Sequence, residues 1–367
     1  MNPYDFVRLP DRVQRESALT HHKLQGRVGK MRCRLTAVTP IFIPMTQAGG
    51  GTQRFMTARR NGADLPVIPG SSIKGVIRSV AEAVSPSCIG LSGELFDRGS
   101  VIPAYKESLP IDFLTCKEAS KLCPACRIFG MVSNKSHFLG KVSFSDASAE
   151  AGKFKTGMPI ILKPLMEPKP RHSAFYHPNG EIAGRKFYFH HAGALKTTNQ
   201  ATEYTKTIIP LEGGVDDQGN PRTVFEFDVS FTNLTDGEYS LLLFALVLEE
   251  DMRHKIGGCK PLGLGTVKIE VTEHSIYQID PQQRYRGLGT RRTDEGDGAM
   301  LTGDALKEHV RAVIAPIVTS NSDSLEDLQY IWRYPPQMTE AGEPEDYKYP
   351  SQDWFRNNPL IPISETP

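Results

Sequence analysis

Four cysteines lie in one irregular part of the chain, with a spacing that suits a metal site. Cys123 and Cys126 are separated by two residues, and two thiolates from such a tight turn bind one zinc ion at about 2.3 Å. Cys88 and Cys116 lie upstream in the same segment, residues 86–138. A metal can replace the apolar core that a loop-like segment lacks. We therefore predict a structural Zn2+ site formed by Cys88, Cys116, Cys123 and Cys126.

Two other interpretations of these cysteines stay open. The four thiols can remain reduced, or Cys123 and Cys126 can form a redox pair, because residues 127–130 are compatible with the helix that such a pair opens. His137 is an alternative ligand. Cys33 lies on the core face of a predicted strand and Cys259 in a Gly-rich turn, so neither is predicted to bind the metal.

A Pro-Gly-Ser-Ser segment at residues 69–72 precedes a predicted helix. Apolar residues occur after it at helical spacing, namely Ile73, Val76, Ile77, Val80, Ala81 and Val84. The first turn of a helix has unpaired backbone N–H groups, which bind phosphate well. The segment therefore predicts a phosphate-facing helix start.

The residue types around this helix start favour the same interpretation. Gly70 allows close approach of a ligand to the backbone, Ser71 or Ser72 can cap the first turn, and Lys74 and Arg78 lie one turn apart beside it. An ordinary capped helix is the alternative. The Gly-x4-Gly-Lys-Ser/Thr pattern of a nucleotide-hydrolysing P-loop is absent from the sequence.

Three other basic segments are candidates for RNA contacts. The Gly-rich turn at residues 257–265 carries Lys260, and its glycines can permit RNA approach, a tight turn, or both. Residues 45–61 are predicted to form a mobile loop. Residues 154–188 alternate aromatic and basic side chains, which is typical of surfaces that stack on bases. The basic candidates in these last two segments are Arg54, Arg59, Arg60, Lys169, Arg171, Arg185 and Lys186.

The elements that position these residues have a recognisable order. Hydrophobic periodicity predicts a strand at 27–38, a helix at 73–84, strands at 140–145 and 225–231, a helix at 237–253 and a strand at 267–271. This order is typical of an α+β, ferredoxin-like (RRM-like) fold with helices on an antiparallel sheet. We expect a core at 1–280, with insertions at 86–138 and 150–222, and a C-terminal extension at 281–367 with helices near 304–317 and 324–332. The last 30 or so residues are predicted to be extended or partly disordered.

Composition limits the possible functions. Lys and Arg number 43 and Asp and Glu 42, so nucleic-acid contacts must come from local clusters of charge. Residues 8–34 are basic and residues 323–353 are acidic. The first can meet phosphate and the second can cover a surface or touch a basic neighbour; solvated faces of a monomer are the alternative.

No apolar run reaches membrane-spanning length and the first 15 residues lack a secretory apolar centre, so we expect a cytoplasmic protein.

Several segments, taken in order, resemble the repeat-associated mysterious protein (RAMP) superfamily of CRISPR systems. Residues 39–43 resemble the end of its first strand, residues 65–78 its first-helix signature, and residues 258–267 its Gly-rich loop. Residues 126–130 and 140–147 resemble the segments that come after this helix in the backbone subunits of type III effector complexes. The segment at 169–191 looks like a variant with a large insertion.

The resemblance implies a subunit of a type III ribonucleoprotein for antiviral defence. Its partners would be CRISPR guide RNA, complementary target RNA, other RAMP-type subunits and the large subunit of the complex. In the family a protruding hairpin displaces a base between subunits, and residues 154–188 are the candidate for it. An ordinary β-hairpin packed on the sheet is the alternative.

The resemblance also raises the question of catalysis. Type III backbone subunits that cut target RNA place an aspartate in the loop after the first strand, but residues 45–61 contain no acid and the first one is Asp64. Asp64 is therefore the candidate for an endoribonuclease site using Mg2+ or Mn2+, or it simply caps or pairs at the turn. Guide-processing members use histidine instead, for which the candidates are His21, His22, His172, His190 and His191. The leading expectation is a subunit that holds RNA without cutting it.

Overall fold

The computed structural model describes residues 1–45, 51–60, 62–89, 109–134, 136–165, 172–191, 195–277, 300–336, 338–339 and 345–366. In chain order the strands are β1 Tyr4–Val7, β2 Arg27–Ala37, β3 Gln53–Arg54, β4 Thr57–Arg60, β5 Ala63–Ile68, β6 Gly130–Val132, β7 His137–Leu139, β8 Val142–Phe144, β9 Ala147–Ala149, β10 Ile160–Leu162, β11 Arg185–Tyr188, β12 Lys206–Ile209, β13 Val224–Leu234, β14 His254–Lys255, β15 Thr266–Tyr277 and β16 Met300–Leu301. The α-helices are α1 Gly70–Ala83, α2 Pro124–Phe129, α3 Ser173–Tyr176, α4 Asp236–Val247, α5 Gly303–Val318, α6 Asp323–Trp332 and α7 Gln352–Asn357. None of the helices within these ranges is long and apolar enough to cross a membrane.

Period-2 alternation builds the centre of the sheet. On β2 the side chains of Met31, Cys33 and Leu35 are buried, whereas the basic residues between them are exposed. The phenylalanines of the neighbouring β13 are buried in the same way, and Phe227 lies opposite Cys33. Because successive strand residues point to opposite faces, both strands direct their apolar side chains to one side, where α1 and α4 pack.

The core has the predicted ferredoxin-like arrangement. The chain order is β2, α1, β8, β13, α4 and β15, and the spatial order of the strands is β15, β2, β13 and β8, all antiparallel. Strands β9, β5 and β4 extend this sheet at one edge and β14 extends it at the other. The prediction of an α+β fold with helices on one face of an antiparallel sheet is confirmed.

Residues 51–60 differ from the sequence prediction. Instead of a loop, β4 pairs antiparallel with β5, and β3 pairs with β12. Phe55 is buried and stacks on Phe225 with ring centroids 6.0 Å apart. The glycines and polar residues of the segment suggested a loop, but burial of this one ring holds the hairpin against the sheet. Residues 46–50 and 61 lie outside the described residues.

Residues 150–222 contribute to two different sheets. Strands β10 and β12 pair with each other, whereas β11 pairs with β1 near the amino terminus. Phe175, Phe187 and Phe189 are buried, so these three rings are not exposed to bases in this structure. A base-displacing hairpin in this region stays a prediction.

The two ends of the chain pack together. Arg8 pairs with Asp323 and Asp327 of α6 at 2.9 and 2.8 Å, so part of the acidic segment contacts the basic amino-terminal segment of the same molecule. Tyr347 is buried and stacks on Phe189 at 4.8 Å between centroids.

The prediction of an extended or partly disordered tail is wrong for residues 352–357, which form α7. Aromatic side chains near the carboxyl end are buried and hold this segment in place, although most of its residues are polar. The domain boundary expected at residue 280 falls outside the described residues and stays a prediction.

Candidate nucleic-acid groove and metal centre

The four cysteines predicted to bind zinc form one buried cluster. Their sulfur atoms lie within 4.8 Å of one another. The Sγ of Cys88 is 3.7 Å from that of Cys126, 3.8 Å from that of Cys116 and 3.5 Å from that of Cys123. A tetrahedral zinc ion with bonds of about 2.3 Å would separate its sulfur ligands by about 3.8 Å. These distances are far longer than the about 2.05 Å of a disulfide, so the cluster can hold a metal ion.

A backbone N–H group and a guanidinium lie beside the sulfur atoms of this cluster. Cys123 is the N-cap of α2, and its backbone N–H donates to the Sγ of Cys116 at 3.3 Å. Hydrogen bonds with neighbouring thiols, that with Cys116 first in each case, lower the pKa of Cys123 and raise the pKa of Cys88 and Cys126. The guanidinium of Arg78 lies 3.6 Å from the Sγ of Cys126. Positive charge at this distance offsets part of the negative charge of a metal bound by four thiolates.

The remaining candidate ligands lie elsewhere. His137 is exposed on β7 and does not belong to the cluster. Cys33 is buried within β2, where burial raises the pKa of its thiol. Cys259 lies in the Gly-rich turn, as predicted.

The start of α1 is capped in a way that the sequence did not indicate. Pro69 is the N-cap and provides no side-chain cap; instead the N–H of Gly70 donates to Oδ1 of Asp146 at 2.9 Å. The prediction that Ser71 or Ser72 caps the helix is therefore wrong, since both lie inside its first turn. A carboxylate from the loop after β8 already occupies part of the positive end of the helix.

The two glycines of the segment have different surroundings. A Cβ at Gly70 would lie 2.3 Å from the carbonyl oxygen of Phe144, so this glycine is required for close packing against β8. A Cβ at Gly75 would meet no atom of the described residues within 4 Å. The close approach that was expected at Gly70 is thus made by the protein's own backbone, and Gly75 is the open position.

A groove of about 810 Å3 runs between α1 and the Gly-rich turn. We call it the helix–loop groove. Ser72, Gly75 and Arg78 line one side and Gly258 and Lys260 line the other. Burial lowers the pKa of Lys260, and no carboxylate lies within ion-pair distance of its ammonium in the described part of the chain. The structure therefore brings together three predicted RNA-binding residues, Ser72, Arg78 and Lys260, whereas Ser71 is exposed and does not line the groove.

The Gly-rich turn requires its glycines for geometry as well as for space. Gly257 and Gly265 adopt φ values of +89° and +84°, which side-chain-bearing residues rarely adopt. A Cβ at Gly265 would lie 2.0 Å from the carbonyl oxygen of Ile256. The prediction of a tight turn is confirmed, and its role in RNA approach stays a prediction.

Two predicted RNA-binding arginines pair with an acid inside the protein. Glu82 receives the guanidinium of Arg78 at 2.8 Å and that of Arg185 at 3.0 Å. Arg185 also donates to the carbonyl oxygens of Ser87 and Cys88. These contacts join α1 and β11 to the cysteine cluster.

The other basic candidates are dispersed. The ammonium of Lys74 lies 3.5 Å from the carbonyl oxygen of Val142, and that of Lys186 lies 3.6 Å from the ring centroid of Tyr4. Arg54 and Arg59 are exposed, and Arg60 lies 3.5 Å from Asp146. Lys169 and Arg171 lie outside the described residues.

Asp64 and the histidines occupy separate places. Asp64 is exposed on β5, opposite Arg59 in the hairpin, and does not line the helix–loop groove. His172, His190 and His191 are buried, and burial lowers the pKa of the last two. His21 and His22 are exposed.

The outer face of the sheet carries paired charges. Lys30 and Arg32 of β2 lie 2.9 and 3.5 Å from Asp228 of β13, and Arg34 lies 3.7 Å from Glu226. RRM domains stack bases on aromatic side chains of this face, whereas the aromatic residues of β13 point inward here. The alternation of residues 30–34 places their basic side chains on this outer face, and the register of β13 places acidic partners opposite them.

The model of the RAMP superfamily matches residues 34–268, which is more than half of the chain. The crystal structure of Thermofilum pendens Csc2 is similar with 16% identity, covering 83% of this chain and 81% of that one, at a TM-score of 0.35. A chain of a Type IV-B CRISPR complex has 18% identity and covers 66% of this chain and 90% of that one, also at a TM-score of 0.35. No curated protein matches significantly. On the family match, this chain belongs to the RAMP superfamily.

Proposed function

We propose that this protein is an RNA-binding backbone subunit of a type III CRISPR effector complex, where it holds guide RNA and the guide–target duplex. Membership of the RAMP superfamily and the order of the motifs resembling type III backbone subunits support this assignment. Its partners are then guide RNA, target RNA, other RAMP-type subunits and the large subunit of the complex.

The observation that carries the proposal is the helix–loop groove. Gly75 and Gly258 add no side chain to the walls that they line, so a polynucleotide backbone can approach closely at these two positions. Lys260 supplies a positive charge that no carboxylate neutralises in the described part of the chain. The outer sheet face, in contrast, has neither exposed phenylalanines on β13 nor unpaired charge on residues 30, 32 and 34. RNA is therefore assigned to the helix side of the molecule.

The groove can be tested by filling it. Gly75→Leu places a large side chain in open space and improves helix propensity, so the variant should remain folded. We expect it to weaken binding of a labelled single-stranded RNA of mixed sequence by about tenfold or more, the equivalent of one or more charge-assisted hydrogen bonds. Gly237→Leu is the matched control, because Gly237 also lies on a helix with nothing within 4 Å of its Cβ position.

Charge in the groove is tested in parallel. Lys260→Glu should weaken RNA binding by about tenfold or more, whereas Lys268→Glu, on the outer sheet face beside Glu270, should have little effect. Both the purified protein and the assembled complex are assayed. The proposal fails if the wild type binds no RNA either alone or in the assembled complex. It also fails if both groove variants bind RNA as tightly as the wild type.

Cleavage is not part of the proposed function. Asp64 is exposed and separate from the groove, so Asp64→Ala in the assembled complex should leave the products from a labelled target RNA unchanged in Mg2+ or Mn2+. Loss of one specific cut in this variant would instead establish the endoribonuclease alternative.

We also propose that the cysteine cluster binds structural zinc. Four thiolates are the ligand set that zinc prefers in closed structural sites. The ion would hold Cys88, next to the groove residue Ile89, against the segment that begins at Cys116. Arg78 and Arg185 connect this centre to the groove wall.

A further inference from the structure

A second cavity, of about 210 Å3, opens beside the helix–loop groove. We call it the basic cavity. It lies between α1, β11, β14 and α6, and it shares Val76, Ser79, Glu82 and Lys260 with the groove. A cavity needs only about 10–15 Å3 of such space to hold one water molecule, so this cavity can admit a phosphate group.

Lys255 is the most unusual residue in its wall. The residue is only 2% exposed, and within the described ranges its ammonium has one hydrogen-bond acceptor, Oγ1 of Thr266 at 3.5 Å. That hydroxyl lies 3.0 Å from Nδ1 of His190, whose Nε2 lies 2.9 Å from the carbonyl oxygen of Arg253. The imidazole therefore donates to Arg253 and accepts from Thr266, which leaves the hydroxyl oxygen as the acceptor for Lys255. The remaining N–H groups of this ammonium have no acceptor among the described residues.

The wall carries an excess of positive charge. Among the described residues, Arg185, Lys186, Lys255 and Lys260 line the cavity together with one acid, Glu82. That acid is already bound by two guanidinium groups. Neither Lys255 nor Lys260 has a carboxylate within ion-pair distance in the described ranges. Such an arrangement costs folding free energy unless an anion compensates it.

Two further donors belong to residues of the wall and lack a partner in the described part of the chain. The Nε of Arg185 and the Nε1 of Trp332 are buried without a hydrogen-bond acceptor among the described residues. Both residues line the cavity, and Trp332 is only 3% exposed. Buried donors are nearly always satisfied in folded proteins. An occupant that accepts hydrogen bonds and carries negative charge would compensate Lys255 and Lys260 and bring acceptors close to these two donors.

We propose that the basic cavity binds one phosphate group of the RNA strand that lies in the helix–loop groove. This inference rests on the proposed function, and the shared residues Ser79 and Lys260 are the point where the strand would enter. The same chemistry is also offered by free inorganic phosphate, so the experiments separate the two sources.

The first experiment compares RNA binding by wild-type and Lys255→Met protein at several salt concentrations. Met has a similar length, and removal of an uncompensated buried charge does not endanger folding. We expect about tenfold weaker binding and a slope of log affinity against log salt that is shallower by about 0.7, the value for one phosphate contact on a single strand. Lys268→Met, on the exposed outer sheet face, is the control and should match the wild type.

A second variant tests the donor at the other side of the cavity. Trp332→Phe keeps an aromatic ring in the core, beside Phe187, and removes the Nε1–H. Severalfold weaker RNA binding is expected. Unfolding midpoints in urea, measured for all variants, show whether any loss of affinity comes from loss of fold.

The outcomes separate this inference from the proposed function. If RNA binds the wild type and Lys255→Met equally, with equal salt slopes, the cavity assignment is overturned while the proposed function stands. If the wild type binds no RNA, but inorganic phosphate raises its melting temperature and not that of Lys255→Met, the cavity binds free phosphate rather than a phosphate group of RNA. The proposed function is then overturned as well. If neither RNA nor phosphate distinguishes the two proteins, the cavity binds no phosphate.

Discussion

Lys141 and Glu238 form an ion pair in which the side chains are 0% and 2% exposed. The carboxylate also lies 3.1 Å from Nε of Arg127 and accepts the backbone N–H of Thr235, which caps α4. Lys141 donates to the carbonyl oxygen of Asn233 as well. Glu238 thus connects α2, the residue just before β8 and the start of α4.

Removing the charge of Glu238 should strongly destabilise the fold. Glu238→Gln leaves Lys141 as a buried cation without a counter-charge, so we expect the free energy of unfolding to fall by about 3 kcal/mol or more. Urea unfolding measures this change. Thr235→Ala, which removes only the helix cap, should cost about 1 kcal/mol. Equal effects of the two variants would show that the ion pair contributes little.

Loss of one cysteine of the cluster should release the metal. Cys123→Ser protein is expected to contain less than one zinc per chain by elemental analysis, and its residues 109–134 should become sensitive to protease. The effect should be large, because structural zinc contributes about 10 kcal/mol or more of binding free energy to small segments. Cys259→Ser is the control, since this cysteine lies outside the cluster. Metal-free wild-type protein with an intact, protease-resistant insertion would contradict the zinc assignment.

The buried ammonium of Lys255 should make stability depend on pH. Burial first, then the charge of Lys260, lowers the pKa of Lys255 to about 7, whereas an unfolded lysine has a pKa of about 10.4. Between these values the unfolded chain binds a proton that the folded protein has lost, so the free energy of unfolding rises with pH. Below about pH 7 both states are protonated, and the buried charge costs on the order of a few kcal/mol.

The difference between wild-type and Lys255→Met protein isolates this contribution. Urea midpoints at about pH 6.5 and about pH 9 should show that the variant is more stable than the wild type at the lower pH, with the difference shrinking as pH rises. Lys268→Met should follow the wild type throughout. A constant difference between wild type and Lys255→Met would mean that Lys255 titrates normally in the folded state.

The cap that Asp146 provides for α1 can be tested by mutation. Asp146→Ala leaves the N–H of Gly70 without its acceptor, and we expect a loss of about 1 kcal/mol, typical for a helix cap. The measurement is again urea unfolding. Asp64→Ala, an exposed acid on β5, should change stability by less than about 0.5 kcal/mol. No loss in Asp146→Ala would show that water replaces the carboxylate at no cost.

The sequence by itself determined the core and the membership of the cysteine cluster. Alternation along residues 27–38 and 225–231 and the apolar stripe of α1 specify which face of each element is buried, because strand and helix periods are local properties of the chain. The spacing of Cys123 and Cys126 likewise indicated a shared ligand pair. The order of strands and helices along the chain then allowed few ways in which the strands could pair in the sheet.

Only the tertiary structure decided which polar residues face the groove and which pair inside the protein. Arg185 binds Glu82 and Asp146 caps Gly70 across 103 and 76 residues of chain, and no local pattern carries such information. Arg78 and Lys260 looked equivalent as basic residues beside glycines, but one is neutralised by Glu82 and the other is not. Lys255 gave no signal at all, since its burial depends on β11, β15 and α6 meeting around it. The helix–loop groove and the basic cavity exist because distant segments pack together, and their charge depends on which acids that packing brings near.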